Sequence, residues 1–237
     1  MKFYRTFTPF KVISFDLDDT LYDNVPVIYQ AEQQCIEFLR NASQIAELGN
    51  EMWFSCKQQI FQQDPIFCEN VTEWRIKTIH TVLQKHGKSA VEIEQLCKAC
   101  IEHFLHWRHK ITVPQTSINL LNQLKKRYPL AAITNGNVDP LRIDLTQFDL
   151  ILCGGVQGRA KPEADLFQQT AQHFGIKTSE ILHVGDNLIT DVQGAIQASC
   201  QAVWLNLSGK GISQFSEARL LPSVEMADLT ELLLLQG

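Results

Sequence analysis

Five short stretches of the chain are almost wholly apolar and rich in β-branched and aromatic residues: "KVISFDL" (11–17), "LAAIT" (130–134), "DLILCGG" (149–155), "ILHVGD" (181–186) and "QAVWLN" (201–206). Continuous apolar runs of this length suit strands buried on both faces of a parallel sheet. Helical spacing lies between most of them. "PEADLFQQTAQHFG" sets Phe167, Ala171 and Phe174 on one face, with Pro162 at a first helical position and Gly175 as a stop. Strand and helix in alternation predict an α/β fold with a doubly wound, mostly parallel sheet.

One interval departs from the alternation. More than 100 residues separate the first apolar run from the second without a strand signal. They predict four helices, at about 25–42, 43–62, 72–87 and 90–109. "SAVE" (89–92) is a capping box, Thr72 an N-cap and Gly87 a stop. A block of this kind is expected to be an inserted all-helical cap domain, residues 23–110, on a core made of residues 1–22 and 111–237. Within it, Trp53, Phe54, Trp74 and Trp107 are expected to be mainly core, with a planar ring substrate able to stack on one of them. Arg75 is expected in a surface ion pair or reaching substrate. "CKACIEHFLHWRHK" (97–110) spaces Cys97, Cys100, His103, His106 and His109 by three, which drifts about 60° per step on a helix and does not close a tetrahedral metal site.

Composition narrows the classes. The chain has 237 residues, 45% apolar, with a formal net charge of -5 and no basic tract, so neither nucleic acid nor an anionic membrane is an expected partner. The first residues carry charges and no apolar stretch of signal length, and the seven cysteines show no framework spacing, so a reduced, cytoplasmic setting is expected.

The polar residues at the strand ends change the picture most. In open α/β sheets ligands bind beyond the carboxyl ends of strands. Asp16 and Asp18 sit at that end of the first strand, two apart and therefore on one face. Asp186 ends the fourth strand, with Asp191 five residues on; Thr134 ends the second, followed by "NGN"; Lys161 lies in "GRAKPE" after the third. Carboxylates about 4 Å apart repel by roughly 4 kcal/mol at an effective dielectric near 20. A hard cation with oxygen ligands, such as Mg²⁺, relieves this, while Thr134, backbone amides and Lys161 supply the donors that a phosphoryl group needs.

"DLDDT", "TNG", "AKPE" and "GDNLITD" resemble, in order, the four motifs of the haloacid dehalogenase superfamily, and the helical insert resembles its smaller cap type. The resemblance implies a Rossmann-like core and a phosphoric monoester hydrolase. Asp16 would be the nucleophile, forming an aspartyl-phosphate, and Asp18 the general acid and then base. Mg²⁺ would be held by Asp16, the backbone carbonyl of Asp18, and Asp186, with Asp191 supporting the metal shell. Thr134, Asn135 and Lys161 would bind the phosphate, with Gly136 contributing a backbone donor and Thr20 fixing the turn. Longer stretches, among them "FYRTFTPFKVISFDLDDTLYDN" and "ILHVGDNLITDVQGAI", are similar to a bacterial branch related to the flavin mononucleotide phosphatases. That branch implies a small phosphorylated metabolite as substrate: 5-amino-6-(5-phospho-D-ribitylamino)uracil of riboflavin synthesis, or flavin mononucleotide. Another small phosphate, a phosphomutase reaction and a non-catalytic binding role are the competing readings.

Overall fold

A computed structural model describes residues 1–235. The chain divides into two compact units, one of residues 1–22, 112–136 and 144–237, the other of residues 23–111 and 137–143.

The first unit is built on one seven-stranded sheet in the order β1-β7-β6-β5-β2-β3-β4. The five apolar runs form β2 (Val12–Phe15), β3 (Leu130–Thr134), β4 (Leu150–Cys153), β5 (Ile181–Gly185) and β6 (Gln201–Leu205). All neighbours pair in parallel except β1 (Lys2–Phe3) with β7 (Val224–Met226). Those two edge strands carry no sequence signal because two or three residues cannot show a period. Burial explains the continuous apolar runs: every residue of β2, β3, β5 and β6 is buried.

Strand order places the site. From β2 the chain moves outward to β3 and β4, then crosses to the other flank of β2 with β5 and runs out through β6. The reversal falls between β2 and β5, and their carboxyl ends flank the crevice where such sheets bind ligands. The helix Asp165–Phe174 packs Leu166, Phe167 and Ala171 inward and ends on Gly175 in the left-handed conformation, φ +65°. It starts three residues later than the proline signal implies. Pro162 lies in the turn before it, where a Cβ added to Gly194 would sit 2.9 Å from the Pro162 Cα.

The second unit is helical: α1 (Val25–Ser43), α2 (Asn50–Gln63), α3 (Val71–Lys85) and α4 (Ala90–Arg108), with residues 137–143 alongside them. No helix among the described residues is long and apolar enough to cross a membrane. Two of the three local signals hold. Ser89 and Glu92 form the reciprocal capping box, and Gly87 stops α3 at φ +72°. The N-cap of α3 is Asn70 rather than Thr72, its side chain accepting from the amides of Thr72 and Glu73. Helix α2 begins at 50 instead of 43 because Gln44 turns left-handed, φ +59°, and closes α1. Cys97, Cys100 and Trp53 are buried in the core of this unit, and His103 stacks on Phe38.

Arg75 departs from its expected surface position. It is buried, lies 3.5 Å over the Phe104 ring, and pairs with a buried Glu32 at 2.5 Å. Glu32 also accepts from the Trp53 indole at 2.5 Å and from Lys57 at 3.2 Å. Burial opposes ionisation of Glu32, but Arg75, Lys57 and the indole outweigh it and lower the carboxyl to about 2. A lowered folded pKa contributes stability above the unfolded value, lost as pH falls from about 4.5 towards 2. The Glu32→Gln protein is therefore expected to be less stable than wild type at pH 7 by on the order of 3 kcal/mol, with the gap closing in acid. Denaturant melts of both proteins at pH 7 and pH 3 measure it; an unchanged gap would refute the assignment.

Candidate active site

The site grows from the end of β2. The Asp16 amide donates to the Val184 carbonyl at 2.9 Å, which fixes that strand end against β5. Asp16 is buried and Asp18 half-buried. Asp19 takes the left-handed conformation at φ +59°, which a short polar side chain tolerates, and so turns the chain sharply after Asp18. Thr20 closes this turn through its amide to the Leu17 carbonyl and sends its hydroxyl to Asp186 Oδ1 at 3.2 Å. The strand-end acids of β2 and β5 are thus joined through the turn.

Carboxylate oxygens of Asp16, Asp186 and Asp191 lie within 4.8 Å of one another. Lys161 enters this group. Its Nζ donates to Asp16 Oδ1 at 2.8 Å and to Asp191 Oδ1 at 2.6 Å, fully enclosed. Asp191 reaches the centre because Gly185 makes room: a Cβ at that position would lie 2.3 Å from the Asp191 Cγ. The other oxygen of Asp191 accepts from the Asn187 amide at 2.9 Å.

Charge decides what else the site accepts. With all three acids ionised, one ammonium stands against three carboxylates, a deficit of two positive charges. Burial pushes Asp16 up to about 8 despite the pull of Lys161, and burial with the neighbouring Asp191 charge pushes Asp186 up to about 6. Burial also works against Asp191, but Lys161 and His183 outweigh it and hold its carboxyl below the ordinary range. Lys161 itself is pushed up: burial works against its charge and the two carboxylates overcome that. A divalent cation matches both the deficit and the all-oxygen donor set, so the residues present fit Mg²⁺.

The remaining expected residues fall into two groups. Thr134 ends β3, buried, with its Oγ1 accepting from the Gly136 amide at 2.9 Å, which leaves its hydroxyl proton to point elsewhere. Asn135 has its side chain fully engaged by the backbone of Lys161, accepting from its amide at 2.9 Å and donating to its carbonyl at 2.8 Å. The Asn135 side chain therefore positions Lys161, and its own amide is the group left for an anion. Lys161 is likewise held by carboxylates at both of its contacts.

Two participants escape a reading of the sequence. Ser14 Oγ lies 2.9 Å from His183 Nδ1, and His183 Nε2 lies 3.4 Å from Asp191 Oδ1. Ser14, His183, Asp191, Lys161 and Asp16 thereby form a buried polar ring that leaves β2 at residue 14 and closes just past its end at residue 16. Burial pushes His183 down to about 4, so the imidazole is neutral and donates from a single nitrogen. The only signal in sequence is a polar residue inside each otherwise apolar strand run.

A family model for the haloacid dehalogenase-like hydrolases matches residues 10–199. The chain is 38% identical over 98% of its length, and 98% of the relative's, to the 5-amino-6-(5-phospho-D-ribitylamino)uracil phosphatase YigB of Escherichia coli (strain K12). It is 25% identical to the N-acylneuraminate-9-phosphatase of Rattus norvegicus, with 84% of each chain covered. Among solved structures, that of the 2-haloacid dehalogenase from Pseudomonas syringae pv. Tomato DC3000 superimposes with a TM-score of 0.86 at 32% identity, covering 94% of this chain and 96% of that one. Strand order, the acids at the switch point and these likenesses agree: the chain belongs to the haloacid dehalogenase-like hydrolases.

Proposed function

We propose that this hydrolase is a Mg²⁺-dependent phosphomonoesterase working through an aspartyl-phosphate, with 5-amino-6-(5-phospho-D-ribitylamino)uracil and flavin mononucleotide as substrates. The near end-to-end likeness to the Escherichia coli phosphatase carries the substrate reading. A carboxylate oxygen of Asp16 attacks phosphorus while the bond to the ribityl oxygen breaks and Asp18 gives that oxygen its proton. Asp18 then takes a proton from water, whose oxygen attacks the phosphorus and releases phosphate from Asp16. Lys161 offsets charge beside Asp16, while the Thr134 hydroxyl and the Asn135 amide take phosphoryl oxygens; the Gly136 amide, expected as a further donor, is instead held by Thr134 Oγ1. Asp16, the Asp18 carbonyl and Asp186 would hold Mg²⁺, supported by Asp191; the ion supplies positive charge that lowers the cost of bringing a phosphate dianion to buried carboxylates.

A dehalogenase reading has the Pseudomonas syringae structure in its favour. A departing halide needs no proton, so that reaction leaves Asp18 and the three-acid cluster without work. Phosphate release from the two proposed substrates, and halide release from 2-chloropropionate, are to be measured with Mg²⁺ and with a chelator. The expected result is phosphate release that the chelator reduces by about a hundredfold or more, restored by Mg²⁺, with no halide released. Halide release indifferent to chelator would replace the phosphatase reading.

A further inference from the structure

Tyr22 is buried, and the reaction as derived leaves it without a task. Its phenol donates to Asp18 Oδ1 at 2.8 Å, and the backbones of Asp18 and Tyr22 meet in an isolated bridge. The bridge sets the two side chains on one short loop of fixed shape, with Leu17 and Leu21 buried between and beside them. A half-buried carboxylate on such a loop turns about two torsions, Cα–Cβ and Cβ–Cγ, and a phenol donor on a rigid ring restrains both. From this geometry we propose that Tyr22 is a positioning residue for the acid–base step, one that holds the Asp18 carboxyl in the orientation in which it handles the proton. Oδ1 accepts the phenol's hydrogen bond, and the carboxyl so held gives up its proton when Asp18 acts as acid and receives the proton of water when it acts as base. The phenol itself neither gains nor loses a proton.

The inference rests on the reading of Asp18 as acid and base, and the test separates the two. kcat/KM reports the steps up to release of the alcohol. It is compared for flavin mononucleotide, whose alkoxide leaving group needs a proton, and p-nitrophenyl phosphate, whose leaving group does not. Both are measured on the same preparations of wild type, Tyr22→Phe and Asp18→Asn, so any misfolded fraction cancels in the ratio. Tyr22→Phe is expected to lower kcat/KM for flavin mononucleotide by about 10- to 100-fold and that for p-nitrophenyl phosphate by less than about threefold, with Asp18→Asn more selective still. Tyr22→Met, which also removes the donor, is expected to shift the ratio in the same direction. Equal loss on both substrates, or no loss on either, in the Tyr22 proteins overturns the role given to Tyr22. If Asp18→Asn itself shows no selectivity, it is the reading of Asp18 that fails.

Discussion

The Asp16→Asn protein is expected to lose phosphate release by about three orders of magnitude or more in kcat while folding normally. The argument starts from its surroundings. Asp16 is the buried carboxylate at the end of β2, held at 2.8 Å by Lys161, and burial already works against its charge. An amide of the same shape cannot form the acyl phosphate, so no slower version of the same route remains. The stability effect should have the opposite sign. A carboxyl raised to about 8 when folded costs stability at pH 7, because the unfolded chain ionises it freely. Removing the charge relieves that cost, and Lys161 keeps Asp191 as its partner. Thermal melts in chelator should thus find Asp16→Asn at least as stable as wild type. Substantial residual turnover, or a clear fall in Tm, would show that Asp16 does not sit in the electrostatic position described.

Lys161→Met is expected to damage both activity and fold. Among the described residues, Lys161 is the one cation against the three clustered acids, and both contacts of its Nζ are to buried carboxylates. Removing it leaves two buried negative charges facing each other, which costs about 3–5 kcal/mol of stability, and removes the charge beside the attacking oxygen. Turnover should fall by about a hundredfold or more. Arginine is not a substitute, because its planar fork does not fit a fully enclosed point-charge position. The loss of stability should itself depend on pH. Without Lys161 the folded pKa of Asp191 rises above its unfolded value and that of Asp16, already raised, rises further, so the deficit is full at neutral pH and shrinks as acid protonates the pair. Urea melts of wild type and Lys161→Met at pH 7 and pH 5 check this; a deficit equal at both would mean that lost packing, not charge, is responsible.

Much of the sheet was legible because its signal is local. A strand buried on both faces must be apolar at nearly every position, and each of the five apolar runs is a strand of the observed sheet. The capping box at Ser89 and the stop at Gly87 are equally local, each set by contacts within four residues. Starts and stops set by a backbone turn were not: the left-handed Gln44 and the late start of the Asp165–Phe174 helix leave no mark in periodicity.

The same division runs through the site. The acids Asp16, Asp18, Asp186 and Asp191 stand out in the sequence because charge at the end of an apolar run is conspicuous and strand ends converge in an open parallel sheet. What each acid bonds to was decided only by tertiary structure. Lys161 meets Asp16 across 145 positions of chain, Ser14 meets His183 across 169, and Arg75 meets Glu32 across 43. Partners that far apart are chosen by strand order and helix packing, which no local pattern encodes. A lysine or arginine read singly defaults to the surface, since a charge is buried only where an opposite one awaits it, and that opposite charge is visible only once the chain has folded.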